Sequence, residues 1–164
     1  MSNTKEVGQM ASDVAKYFLY RAKEDGDYIS PLRIQKLVYY GYVWPLVLNE
    51  KKLFSEQLEA WPNGPVVPSL YKELKSYVSS PIDDKYLKIK TPKEFSEFLH
   101  LKFDEDTLDV LDQVYNQYMT KTPFELVLLT HNEAPWKKAR ERMDNGGTNN
   151  IFDSDILEYY SKTT

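Results

Sequence analysis

The chain holds two histidines, His100 and His131, far apart in sequence. Neither stands in a ligand spacing such as His-Glu-x-x-His. His131-Asn132-Glu133 puts a base and an acid two residues apart, a pattern that serves a proton shuttle or a pair of metal ligands. The alternative is a polar helix end where His131 and Asn132 satisfy terminal carbonyls. Two histidines without further clustered ligands make a poor metal site, so no metal is expected. There is no cysteine, which removes thiolate nucleophiles, disulfides and iron–sulfur clusters and fits a reducing compartment. A serine nucleophile needs a base and an orienting group, and no Gly-x-Ser-x-Gly elbow is present. Gly146-Gly147 lacks the Lys-Ser/Thr that completes a phosphate loop. Asp83-Asp84 and the Asp153/Asp155 pair read as caps and loop charges. No catalytic residue and no cofactor is expected from this inventory, and the chain reads as a non-enzyme.

What remains is chemistry of contact. Aromatic residues make up 14% of the chain and 13 of them are Tyr, a side chain that suits interfaces and half-buried helix faces alike. Trp61-Pro62-Asn63-Gly64-Pro65-Val66-Val67-Pro68 joins a large aromatic to a proline-stiffened turn. Such a platform loses little entropy on binding; the structural alternative is that Trp61 packs in the core and the prolines aim the next helix. The net charge of −4, from 21 basic against 25 acidic residues, speaks against a general nucleic-acid binder. Lys137-Lys138-Ala139-Arg140-Glu141-Arg142 is read as a solvated helix face, with a basic patch as the alternative. No apolar run approaches the roughly 18 residues that span a bilayer, and no signal peptide is read at the N-terminus, so a cytoplasmic location is expected.

The elements that position these residues are mostly helical. The length of 164 residues fits one domain able to bury a core without disulfides. Val7, Met10, Ala11, Val14, Phe18 and Ala22 recur at helical steps until Asp25-Gly26-Asp27. Ser30 and Pro31 open a second helix through Ile34, Leu37, Val38 and Gly41, with Gly41 permitting a close helix approach and Pro45 kinking or ending it. Glu56–Trp61 alternates and reads as a short strand, followed by a turn at residues 62–65. Pro68 or Ser69 opens a third helix, and Tyr86–Lys90 reads as a second short strand. Thr91–Glu94 and Thr122–Glu125 are capping boxes. They open helices to about Leu99 and Thr130, and Asp104 caps the helix between them. Ala134-Pro135-Trp136 begins a short helix, residues 144–150 are a polar loop, and Asp153 or Ser154 caps the last helix. The expected fold is mainly α, a single compact multi-helix domain over residues 1–164 with one or two short β-strands.

Three blocks carry a family resemblance. Ser30-Pro-Leu-Arg-Ile-Gln-Lys-Leu-Val-Tyr-Tyr40 resembles the Leu-Gln-Lys-Leu-Leu-Tyr-Tyr helix of Panacea-domain (SocA/GepA-like, phage-associated) antitoxins. Glu59-Ala-Trp-Pro-Asn-Gly-Pro-Val-Val-Pro-Ser-Leu-Tyr71 is similar to their Ala-Trp-x-x-Gly-Pro-Val-Val-Pro-x-x-Tyr block, and Leu129-Thr-His-Asn-Glu-Ala-Pro-Trp136 to their Leu-Thr-His-x-x-x-Pro-Trp block. The resemblance runs from about residue 13 to residue 160 and departs at Trp44-Pro45, where relatives continue the helix. It implies an antitoxin that neutralises a cognate toxin protein by direct binding in a toxin–antitoxin system. Some antitoxins of this kind carry a further DNA-binding domain, for which this chain is expected to have no room, and a basic toxin would suit the acidic net charge. The expected partner contacts are Trp61, Asn63, Gly64, Val67 and Tyr71 around the turn, with His131, Glu133 and Trp136 from the third block. The runner-up is a prophage-encoded regulator or protease adaptor that binds and delivers a partner. Behind it stand an enzyme using His131 and Glu133 and, last, a DNA binder.

Overall fold

The computed structural model describes residues 10–162. Its axis is α2 (Pro31–Asn49), which the other elements surround. Ser30 Oγ accepts from Arg33 N at 3.4 Å and Pro31 occupies the first helical position. Every residue from Ile34 to Val43 is buried. A helix apolar all round has no solvent face to keep and sinks into the middle of a domain. Against it lies α1 (Ala11–Glu24), stopped by Asp25 and by Gly26 at φ +69°. The two helices meet at Gly41, where an added Cβ would stand 2.9 Å from Val14 Cγ1 and 3.1 Å from Phe18 Cε2. Val7, expected on this first helix, lies outside the described residues.

Pro45 neither ends nor breaks α2, which continues for another turn. The lost backbone bond is offset because Pro45, Leu46 and Val47 pack on the core, and the Lys51 amide caps the Pro45 carbonyl at 3.2 Å. The relatives' uninterrupted helix is therefore kept despite the proline.

Among the described residues the strands form one hairpin, β1 (Glu59–Trp61) with β2 (Gly64–Val66), antiparallel and paired Glu59↔Val66, Ala60↔Pro65 and Trp61↔Gly64, with an isolated bridge from Glu59 to Asn150 beside it. The turn is thus Pro62-Asn63, and β2 grows out of residues that the sequence reads only as a turn. The polar segment 144–150 is tied to β1 at its end, where Ala60 N donates to Asn149 O at 2.8 Å. The second strand expected at residues 86–90 is not formed. Asp83 Oδ1 accepts from Lys85 N at 3.1 Å and starts a short helix, α4 (Asp84–Leu87), that Lys88 closes at φ +63°. An Asp that caps outcompetes the weak alternation of a short apolar run.

Between the hairpin and α4 lies α3 (Pro68–Leu74), opened at Val67 and extended by a 3₁₀ turn, Lys75–Tyr77. The remaining helices are α5 (Pro92–Lys102), α6 (Glu105–Tyr118), α7 (Pro123–His131), α8 (Ala134–Asp144) and α9 (Asp153–Ser161). Thr122 and Glu125 form the reciprocal capping box of α7, at 3.1 and 2.8 Å. At α5, Thr91 caps Glu94 N but the Glu94 carboxylate accepts from Lys90 N, one residue earlier than the box requires. Neither Asp153 nor Ser154 caps α9: the helix begins at Asp153 with Phe152 at the N-cap, and the Asp153 carboxylate accepts instead from the Tyr42 hydroxyl at 2.7 Å. One helical domain with a single small hairpin results.

Candidate functional site

The three sequence blocks converge on Gly64. It sits at φ +109°, and an added Cβ would lie 2.6 Å from Lys36 Cε and 2.9 Å from Thr130 Oγ1. Lys36 comes from the first block, Gly64 from the second and Thr130 from the third. Lys36 is fully buried, and its ammonium donates to the Pro65 carbonyl at 2.9 Å. Burial alone, with no neighbouring charge to compensate, pushes its pKa down to about 7. Beside it Gln35 grips the chain just past β2: its amide oxygen accepts from Val67 N at 2.9 Å and its amide nitrogen donates to Val67 O at 3.3 Å.

The third block fixes the other side of the hairpin. Trp136 Nε1 donates to Trp61 O at 2.9 Å, Arg140 donates to Ala60 O at 3.0 Å, and the Arg140 guanidinium lies over the Trp136 ring. The His131 ring stacks on Trp136 at 4.1 Å and 22°. The carbonyls at the end of α7 are taken by the backbone amides of Asn132 and Glu133, not by the side chains of His131 and Asn132. Glu133 turns inward instead. Its carboxylate accepts from the hydroxyls of Tyr40 and Tyr160, each at 2.7 Å, and Tyr160 is 2.9 Å from the Tyr39 hydroxyl. Burial raises the Glu133 pKa, the two hydroxyl donors opposing it, and raises those of Tyr39 and Tyr40. His131 stacks on an indole while Glu133 holds a buried tyrosine network, so the two side chains serve different neighbours. Replacing Glu133 with Ala strands the Tyr40 hydroxyl and leaves Tyr160 only the Tyr39 hydroxyl, and is expected to cost about 3 kcal/mol in urea unfolding. Glu133→Gln, which keeps an acceptor, is expected to recover about half of it.

The turn overhangs a cavity of about 250 Å³ between the start of α2, the hairpin and α3, lined by Leu32, Lys36, Trp61, Asn63, Tyr71 and Val78 among others. Trp61 and Tyr71 meet edge to face at 5.0 Å, and Trp61 Nε1 donates to Glu59 at 2.8 Å. The rim is apolar and open: Leu32, Tyr71 and Val78 are 37, 44 and 77% exposed. Val78 holds φ +57°, a region that β-branched residues rarely adopt. Such strain concentrates at binding surfaces.

The expected contact residues therefore divide. Asn63 and Tyr71 are exposed, Trp61, His131 and Trp136 are half-buried, and Gly64 and Val67 are buried. Glu133 is half-buried with its carboxylate already bonded. The sequence reading missed Gln35, Lys36, Leu32 and Val78. One signal was present: Lys36 is the only charged residue from Ile34 to Asn49. Among the described residues no three His, Asp or Glu side chains converge as metal ligands, and no helix is long and apolar enough to cross a membrane.

A turn built from three blocks thus lies over an apolar recess, with Tyr71 exposed and Trp61 half-buried beside it. The chain belongs to the antitoxin SocA-like, Panacea domain family, which it matches over residues 34–137. That span begins at Ile34 in the first block and ends one residue past Trp136. No curated protein and no solved structure matches the chain.

Proposed function

We propose that this protein is the antitoxin of a toxin–antitoxin pair, acting in the cytoplasm and neutralising its toxin by direct protein–protein contact. The observation that carries this reading is the open apolar rim of Leu32, Tyr71 and Val78 around a turn that the family blocks build. Exposed aromatics beside a recess are where binding energy concentrates at interfaces. The partner surface consists of Trp61, Asn63 and Tyr71. Gly64, Val67, Glu133 and Trp136 hold its shape, and His131 braces Trp136.

The test is co-expression with the product of the adjacent gene in a bacterial host, scoring growth and co-purification. Toxicity of the neighbour alone, relieved by this chain with co-elution, supports the reading. A harmless neighbour and no co-elution overturn it at that locus. Loss of the neighbour only when this chain is present would instead identify a protease adaptor. Tyr71→Ala, at an exposed position, is expected to leave the melting temperature within about 2 °C. It is expected to weaken toxin binding about tenfold or more, measured by calorimetry.

A further inference from the structure

We propose that Asn145 is a site of spontaneous modification, converted to aspartate and isoaspartate by attack of its own backbone, while the same dipeptide in the hairpin turn is held unreactive by the fold.

The Gly146 amide nitrogen, having given its proton to water or hydroxide, attacks the side-chain carbonyl carbon of Asn145. A ring N–C bond forms, the C–N bond to the side-chain amide breaks, and ammonia leaves with a proton taken back from water. The succinimide then takes up one water at either ring carbonyl, giving aspartate or isoaspartate at residue 145.

Two asparagines precede a glycine, Asn63 and Asn145. A glycine there sets no Cβ against the closing ring. Both asparagines are exposed, so what separates them is the nitrogen that must attack. Gly146 is exposed, and nothing lies within 4 Å of where its Cβ would stand. Its N–H donates to Met143 O at 3.0 Å, and Asn145 closes α8 with ψ 17°, which ring closure must undo. Both features belong to the last turn of a helix, which opens at little cost. Gly64 by contrast is buried against Lys36 and Thr130. The chain on either side of it is clamped by Lys36 at Pro65 O, Gln35 at Val67, Trp136 at Trp61 O and Arg140 at Ala60 O. Turning the Asn63-Gly64 peptide means breaking that clamp.

The product alters the end of α8. A carboxylate at residue 145 adjoins Asp144 and stands at the helix C-terminus, where negative charge is unfavourable. It also lies three residues from Arg142, whose guanidinium donates to Asn150 O and Asp155, each at 2.9 Å. Isoaspartate lengthens the main chain by one atom just before the ties to the hairpin, where Ala60 N donates to Asn149 O at 2.8 Å and Ile151 N to Leu58 O at 2.9 Å. Ageing at Asn145 therefore loosens the hairpin from behind and leaves the turn residues themselves intact.

The full chain is incubated at pH 9, folded and in guanidinium chloride, and its proteolytic peptides are followed by mass and isoaspartate content. In the folded protein Asn145 is expected to convert at least about tenfold faster than Asn63, and in denaturant at about the same rate. Aged protein is expected to melt about 1–4 °C below fresh protein, and Asn145→Gln to show no such fall. Equal rates at the two asparagines in the folded protein overturn the proposal. So does an unchanged Asn145 in the folded chain after the denatured chain has converted. A fall in melting temperature that persists in Asn145→Gln also overturns it, because the damage would then lie elsewhere.

Discussion

Gly64→Ala is expected to destabilise the fold by about 3 kcal/mol, on the order of a quarter to a half of a typical domain's stability. Two costs combine. A side chain at φ +109° carries strain of about 1–3 kcal/mol. The new methyl also meets Lys36 Cε at 2.6 Å and Thr130 Oγ1 at 2.9 Å, and overpacking of this kind costs a further 1–3 kcal/mol or so. Lys36 is fully buried and cannot swing into solvent to make room. At this chain length the melting temperature should fall by about 6–12 °C. Gly146→Ala is the control, because Gly146 also has positive φ, +89°, but nothing lies within 4 Å of its missing Cβ. It should show the strain alone, about 1 kcal/mol. Equal losses at the two glycines would show that the hairpin tolerates displacement of Lys36. Toxin binding should fall further than stability in Gly64→Ala, because the turn carries Trp61 and Asn63.

Stability is expected to rise with pH between about 7 and 10, and Lys36→Met is expected to flatten the rise. In the unfolded chain Lys36 takes up its proton below the ordinary value of 10.5, whereas in the folded protein it does so only below about 7. Between these values the unfolded state holds more protons, so stability increases with pH by up to about 1.4 kcal/mol per unit. Below pH 7 the full cost of burying the ammonium is present and the contribution is level. Above pH 10 the sign turns over, because burial holds the Tyr39 and Tyr40 hydroxyls protonated in the folded state while unfolded tyrosines ionise. Lys36→Met removes the titrating amine at similar volume and leaves the Pro65 carbonyl without its donor, a loss of about 1–3 kcal/mol. The parent's rise over these three units, about 4 kcal/mol, exceeds that loss, so the variant should be the more stable of the two near pH 7 and fall below the parent near pH 10. Urea unfolding of both proteins at pH 6 to 10 measures this directly. A parallel slope in both would mean that Lys36 is not the titrating group.

A buried amine that weakens the fold at neutral pH needs a reason to be kept. Its hydrogen bond to Pro65 O fixes the hairpin, and its alkyl chain fills the space that Gly64 leaves open. It is also the one basic side chain among the described residues that line the cavity. The first two roles are met by Lys36→Met only in part, which makes its toxin affinity informative beside its stability.

The helices were legible from local rules, since caps and period-3.6 patterning act within one turn of the chain. Ser30-Pro31, Asp104 and the Thr122–Glu125 box each cap where the sequence places them. The positive-φ glycine and the aromatic platform were legible for the same reason. The sequence also held the motifs of the family, and those motifs contained the residues around Gly64. What it did not hold was their meeting. Lys36, Gly64 and Thr130 are 28 and 66 residues apart along the chain, and their contact exists only because α2 runs through the middle of the fold. Nor did local pattern decide exposure: Val67 and Glu133 look like surface candidates yet turn inward, while Leu32 and Val78 look like core and line an open rim. Residues 86–90 alternate like a strand, yet Tyr86 and Leu87 close a helical turn, because an Asp cap acts locally while a strand needs a partner from elsewhere. Secondary structure here follows from neighbours in sequence; the recognition surface follows from which helix faces are left uncovered, a property of the packed whole.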